Sequence, residues 1–211
     1  MAKLDRVGAL AAAAALILAA CGSAGGQKAA GSSSSIVPST TGMGPIPVTP
    51  SSLLLGGADL AGYSATSQPV LTPVPCGSRF GDASSSTTQA AVAFATSGSQ
   101  QTVNETVALY PSAAAAAAVA DAFRTAGPSC SDFDDTHGPT TTYQVRSVTP
   151  PAVTADDAVA VSLASPAHFY DLVLLRSGAR IAWLALGQVG NPVDPDVLQS
   201  VATAASERLG S

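Results

Sequence analysis

Two stretches of strict alternation stand near the middle of the chain. In Gln89–Ala95, Ala91, Ala93 and Ala95 alternate with Val92 and Phe94. In Thr102–Tyr110, Val103, Glu105, Val107 and Leu109 share one face. A period of two marks half-buried strands, and Ser97-Gly98-Ser99 between them predicts a hairpin. After Pro111-Ser112 the period changes. Ala116, Val119 and Phe123 fall at i, i+3 and i+7, one apolar stripe of a helix. The Ser112 hydroxyl is placed to cap its first turn, and Gly127-Pro128 to stop it. Tyr143–Val148, Asp157–Leu163, Phe169–Arg176 and Arg180–Leu186 predict four more strands, the last two joined through Ser177-Gly178. Asn191-Pro192 opens a loop. Asp194-Pro195-Asp196 then starts a final helix, with a capping side chain, a proline at the first position and acidic charge at the positive dipole end. Leu198, Val201, Ala205 and Leu209 form its apolar stripe. Upstream, Leu53-Leu54-Leu55 with Asp59 and Leu60 predicts a short helix ended by Gly62. Prolines from Pro69 to Pro75 predict an extended or edge segment.

Consecutive strands joined by tight turns require antiparallel pairing. The predicted fold class is therefore α+β: an antiparallel sheet of about six strands with helices packed on it. Residues 52–211 suit one domain with one core, and no repeat of solenoid length occurs in them.

The first fifty residues follow a different pattern. Lys3 and Arg6 precede an almost unbroken apolar run from Val7 to Ala20, which ends in Leu18-Ala19-Ala20-Cys21. A charged start, an apolar stretch and a small-residue cleavage site make a leader. The run is too short to span a bilayer, which takes about 20 residues. The cluster resembles the lipobox of bacterial lipoproteins. That resemblance implies a signal peptide at 1–20 and diacylglycerol on the Cys21 sulfur. It also implies a chain held by membrane lipid on the extracytoplasmic face of the cell membrane. Residues 21–51 are rich in Gly, Ser, Thr, Ala and Pro, with Ser32–Ser35 in a run and Pro38, Pro45, Pro47 and Pro50 spaced behind it. Such a segment buries too little apolar surface to offset its ordering entropy, and reads as a tether of roughly 30 Å reach.

Charge narrows the partners. The chain carries nine Lys and Arg against fourteen Asp and Glu, a net charge of −5. Loss of Lys3, Asp5 and Arg6 with the leader makes it about −6. Arg79, Arg124, Arg146, Arg176, Arg180 and Arg208 stand apart in sequence. Nucleic acid and anionic lipid surfaces need clustered cations, so both are excluded as electrostatic partners. Beyond Cys21 the cysteines are Cys76 and Cys130. In an oxidising compartment such a pair reads as a disulfide, the alternatives being free thiols or half of a metal site.

Candidate chemistry is sparse. There is no Gly-x-Ser-x-Gly elbow, Walker loop, dinucleotide-binding glycine fingerprint or His-Glu-x-x-His. His137 lies in a polar stretch and His168 at the start of a strand, and both read as ordinary histidines. Asp132, Asp134, Asp135 and His137 follow Cys130. A calcium loop of the EF-hand type needs glycine at its sixth position and glutamate at its twelfth, where His137 and Tyr143 stand. The cluster reads as a solvated acidic loop. Asp156-Asp157 reads as a turn before a strand, and Trp183 as core. No enzyme, metal or cofactor is predicted. The expected partner is an unidentified small ligand or envelope protein, the alternatives being a lipid or glycolipid carrier and a cell-wall hydrolase.

The order of these features resembles a domain found in actinobacterial, including mycobacterial, lipoproteins and in the extracellular sensor of PknH-type kinases. The residues that carry the resemblance are Leu54-Leu55 through Asp59-Leu60, then Cys76, then Tyr110-Pro111-Ser112-Ala113 with Phe123. Cys130, Arg176-Ser177-Gly178 and the helix begun by Asp194 follow. The match spans about residues 52–210. Two features depart from it: this chain has cysteines for one disulfide where many members have two, and Ala126-Gly127-Pro128 stands where many have tryptophan. The resemblance implies a sensor-like α+β domain with a cleft over its sheet.

Overall fold

The computed structural model describes residues 48–67, 71–78, 80, 84–126 and 129–211. Cys21, the leader and the tether up to residue 47 lie outside the described residues, as does the Gly127-Pro128 stop. Eight antiparallel strands form one sheet: β1 (Ser64–Ala65), β2 (Thr88–Ala95), β3 (Gln101–Leu109), β4 (Asp132–Asp135), β5 (Thr141–Val148), β6 (Asp157–Ala164), β7 (His168–Ser177) and β8 (Arg180–Val189). Their spatial order is β1-β2-β3-β8-β7-β6-β5-β4. The first hairpin and the later meander meet where β3 pairs with β8, with Val103 opposite Leu186 and Val107 opposite Ala182.

The sheet thus has eight strands, not about six. The two additions are edge strands with weak sequence signals. β1 is two residues long. β4 is three-quarters aspartate, a residue depleted in strands, so Asp132–Asp135 belongs to the sheet and not to a solvated loop. Charge on an edge strand discourages pairing with another chain. The predicted helix over Leu53–Leu60 is also corrected. Two 3₁₀ turns, Pro50–Leu53 and Gly57–Asp59, stand there. Gly56-Gly57 interrupts the segment, and glycine in a helix interior costs roughly 0.5–1 kcal/mol relative to alanine.

Two helices cover opposite faces. Helix α1 (Ala113–Ala126) buries Ala116, Ala120 and Phe123. Its first turn is capped as predicted, with the Ala115 N–H donating to Ser112 Oγ at 3.1 Å. It packs on β6, β7 and β8. Helix α2 (Pro195–Gly210) buries Val201, Ala202, Ala205 and Leu209, and Asp194 accepts from the Asp196 N–H at 2.9 Å. It packs on β7 and β8, while the turn at Pro50–Leu53 covers β2 and β3.

Alternation along the strands sends side chains to the two faces. The α1 face holds Val145, Val159, Val161, Leu163, Leu172, Leu174, Ile181, Trp183 and Ala185. The α2 face holds Phe94, Val103, Val107, Val173, Leu175, Leu184 and Leu186, with Leu53, Leu55 and Leu60 above them. Trp183 is buried, as predicted, and meets Phe80 and Phe123 at ring-centroid distances of 5.1 and 5.6 Å. The turn between β7 and β8 falls at Gly178-Ala179, one position beyond the predicted Ser177-Gly178. Gly178 there takes φ +58°, which glycine adopts without steric cost.

Candidate functional site

The α1 face is not covered along its whole length. Helix α1 lies over β6–β8, and at the end of the sheet where β3 and β7 begin and β8 finishes, a shallow cavity of about 190 Å³ opens. Thr102 lines it from β3, His168 and Tyr170 from β7, and Gly187 and Val189 from β8, with Gln100 at its rim. The pairing puts them together: Thr102 lies opposite Gly187, Tyr170 opposite Gly187, and His168 opposite Val189. Gly187 is needed here for close approach. A Cβ at that position would stand 2.6 Å from Thr102 Oγ1 and 2.7 Å from Tyr170 Cε1. Its absence lets the ring and the hydroxyl close over the strand.

An aromatic tier continues from Tyr170 across the sheet. Tyr170 and Tyr143 meet edge-on at 5.9 Å, and Tyr143 stacks on Phe133 of β4 at 5.6 Å. Such geometries favour ring pairs beyond their area of burial. Tyr170 and Ser165 neighbour the Tyr143 phenol. Burial first, then the neighbouring Tyr170 and the charge of Asp135, pushes the Tyr143 phenol up to about 12. Burial and Asp135 also raise Tyr170. Both stay neutral donors in the physiological range.

The other face holds a second unusual group. Glu105 is 1% exposed, the ionisable side chain in the fully buried set among the described residues. The Leu55 N–H donates to its Oε2 at 2.6 Å, while Oε1 has no hydrogen-bond partner. Desolvation raises its pKa to about 7, against the pull of the Leu55 N–H and Arg208. Arg208 itself pairs with Asp59 at 2.7 Å, and Asp59 also accepts from the Gly56 N–H. This network ties the segment before β1 to the C-terminal turn of α2.

The residues singled out by sequence scatter. Cys76 and Cys130 are joined as a disulfide, with Cα atoms 5.7 Å apart. It fixes the Pro75–Gly77 turn beside β4 and the exit of α1. Cys76 holds φ +43°, a left-handed backbone that costs a non-glycine residue of order 1 kcal/mol. His137 pairs with Asp135 at 2.7 Å on the surface, away from His168 in the cavity. Asp134 accepts from the Thr142 hydroxyl, and Asp156 accepts from the Gly178 N–H and Arg176 across the β7–β8 turn. Asp157 pairs with Arg124 of α1 at 2.5 Å. No group of three metal-ligating side chains comes together among the described residues. No described helix is long and apolar enough to cross a membrane. Sequence reasoning missed Thr102, Tyr170, Gly187 and the burial of Glu105. Gly187, a glycine inside an apolar strand, was the one available signal.

The class defined by this geometry is a two-faced antiparallel sheet with one helix on each side. No protein-family model matches the chain, and no curated protein matches it. Among solved structures it is similar to the crystal structure of the extracellular domain of PknH from Mycobacterium tuberculosis. The TM-score is 0.60 at 13% identity, covering 78% of this chain and 98% of that one. The likeness is one of fold.

Proposed function

We propose that the protein is an extracytoplasmic lipoprotein, anchored through Cys21, whose domain binds a small ligand or an envelope partner in a sensor-like, non-enzymatic role. The observation that carries this reading is the fold, which spans nearly the whole of the extracellular domain of PknH. The leader ending in Leu-Ala-Ala-Cys supports the anchor. The Cys76–Cys130 bridge suits an oxidising compartment. The opening beside Tyr170 is the binding site in this reading, because a concave opening with a few convergent polar groups is where small ligands bind.

Detergent-phase partitioning of the expressed protein tests the anchor. The natural chain is expected in the detergent phase, and Cys21→Ala in the aqueous phase or unprocessed. A processed Cys21→Ala protein that still partitions into detergent would overturn lipid attachment at that residue. Turnover of an ester, peptide or glycan, abolished by a single point substitution, would overturn the non-enzymatic reading.

A further inference from the structure

The lining of the Tyr170 cavity narrows the ligand by elimination. No lysine or arginine lines it, and the chain carries a net charge of −5. Phosphates and carboxylates bind tightly where cations or bidentate guanidinium groups meet them, so this site lacks what an anion needs. No aspartate or glutamate lines it either, and Asp135 acts on Tyr170 only from outside the lining, so a cation finds no carboxylate to contact. The opening is about 190 Å³, smaller than the 300–1,000 Å³ common for drug-sized ligands. Hydroxyls of a serine and a threonine, a histidine ring and two glutamines stand around it. An acyl chain would strip water from those polar groups and return no hydrogen bonds.

What remains is a ligand that is small, uncharged and rich in hydroxyls, with one apolar side. The site is built for both halves of that description. Thr102 is 7% exposed, so its hydroxyl is held in place and largely desolvated. Tyr170 supplies an aromatic ring whose position is set in advance. Its Cδ1–Cε1 edge rests where a Gly187 Cβ would be, and Tyr143 holds it from the other side. A ring fixed before binding loses little entropy on complex formation. A sugar ring presents C–H groups on one face and hydroxyls around its edge, and so matches an aromatic platform beside fixed donors and acceptors.

We propose that the Thr102–Tyr170–Gly187 cleft binds a neutral saccharide unit. This rests on the reading of that cleft as the ligand site.

The test is saturation-transfer and chemical-shift NMR on the full chain in detergent micelles. D-glucose, D-galactose and D-arabinose serve as free-sugar probes and soluble dextran as a polymeric one, with inorganic phosphate, acetate and choline as charged controls. Saturation transfer to a neutral sugar is expected, with shifts confined to Thr102, His168, Tyr170 and Gly187. Response to free sugars assigns a mobile saccharide, and response to dextran alone a unit within a glycan. Tyr170→Leu, which removes the ring, is expected to weaken binding about tenfold, the scale of a good aromatic contact. Tyr170→Phe keeps the ring and is expected to bind within about twofold of the natural chain, since the ring supplies the contact. Thr102→Val keeps β-branching and is expected to lose several-fold. Shifts at these residues from phosphate, acetate or choline but from no sugar would overturn the saccharide assignment and leave the cleft as the site. Sugar shifts elsewhere, unaffected by the three variants, would overturn the cleft itself. Silence from every neutral probe at tens of millimolar would overturn the proposal.

Discussion

The two faces of the sheet are cut from the same strands and solve different problems. The α2 face is aliphatic and tightly packed beneath its helix. Leu184, Val173, Leu175 and Val103 lie under Val201, Ala205 and Leu209, all at or near zero exposure. Its fully buried charged residue, among the described residues, is Glu105, held by a backbone N–H from the segment that leads in from the N-terminal side, while Asp171 is half-buried on the same face. The α1 face is aromatic and graded. Phe80, Phe123 and Trp183 pack beneath the helix, and further along the strands Tyr143, Tyr170 and Thr102 lead out to an opening. The difference shows how one sheet separates stability from recognition. Burial of branched aliphatics on both sides holds the strands in register, at roughly 1.5–3 kcal/mol per fully buried side chain. Beyond the reach of its helix, the α1 side is then free to carry polar groups and a glycine, which weakens a strand interior.

The comparison can be broken first at the disulfide. The bridge ties the segment around Cys76 to the exit of α1, so it serves the α1 side. It closes a sequence separation of 54. For a loop of that length the chain-entropy estimate is about 4 kcal/mol, with measured effects often smaller. Reduction is expected to lower stability by up to that amount. It should speed amide exchange around residues 71–78 more than in β7 and β8, which keep their own hairpin and the α2 core. Uniform loosening of both regions in hydrogen-exchange mass spectrometry would show that the faces are not separable.

On the α2 side the sharpest probe is Glu105. Its folded pKa is raised from 4.5 to about 7. Below the unfolded value both states bind the proton, and the group imposes no penalty. As pH rises through the interval the unfolded state ionises first, so stability falls, and above the folded value the full penalty stands. A shift of this size corresponds to about 3 kcal/mol. Glu105→Gln can still accept the Leu55 N–H through its amide oxygen and carries no charge. It is expected to match the natural chain at pH 4 and to be more stable by up to about 3 kcal/mol at pH 8. Denaturant melts at both pH values check this. A variant less stable at pH 8 would mean that the carboxylate is compensated within the core.

A third probe returns to the α1 face. Gly187→Ala places a methyl where Thr102 and Tyr170 already stand. Overpacking of this kind costs typically 1–3 kcal/mol. The ring is expected to swing away, with a changed Tyr170 resonance and loss of any ligand response. Natural stability together with an unchanged Tyr170 environment would show that the close approach is not needed.

Much of this architecture was legible in the chain. Six strands and both long helices follow from alternation and from caps such as Ser112 and Asp194, because local period and end chemistry decide them. What escaped depends on partners. β1 is too short to show a period, and Asp132–Asp135 is a strand because Phe133 finds Tyr143 across the sheet. Glu105 could be assigned a face from its neighbours Val103 and Val107. Its burial depends on Leu55 and α2 arriving above it, which no local pattern states. The candidate cleft is a matter of register: Thr102, Gly187 and Tyr170 come from three strands and meet only once β3, β8 and β7 are aligned.

The smallest expected effect compares the two helices directly. Each has a side-chain cap of known partner: Ser112 for α1 and Asp194 for α2. Removal of either cap costs about 0.5–2 kcal/mol of helix stability. The consequences should differ by face. Asp194→Ala frees the start of a helix that closes the aliphatic core, with Leu198 and Val201 one turn in, so the loss should appear in the global melt at about 1 kcal/mol. Ser112→Ala acts on a helix whose first two residues are exposed and which begins well before Phe123 meets Trp183. Its loss should appear mainly as fraying of Ala113–Ala116 in hydrogen exchange, with a smaller change in the global melt. Equal global losses from both substitutions would indicate that α1 is as integral to the core as α2, and the contrast between a stabilising face and a recognising face would have to be redrawn.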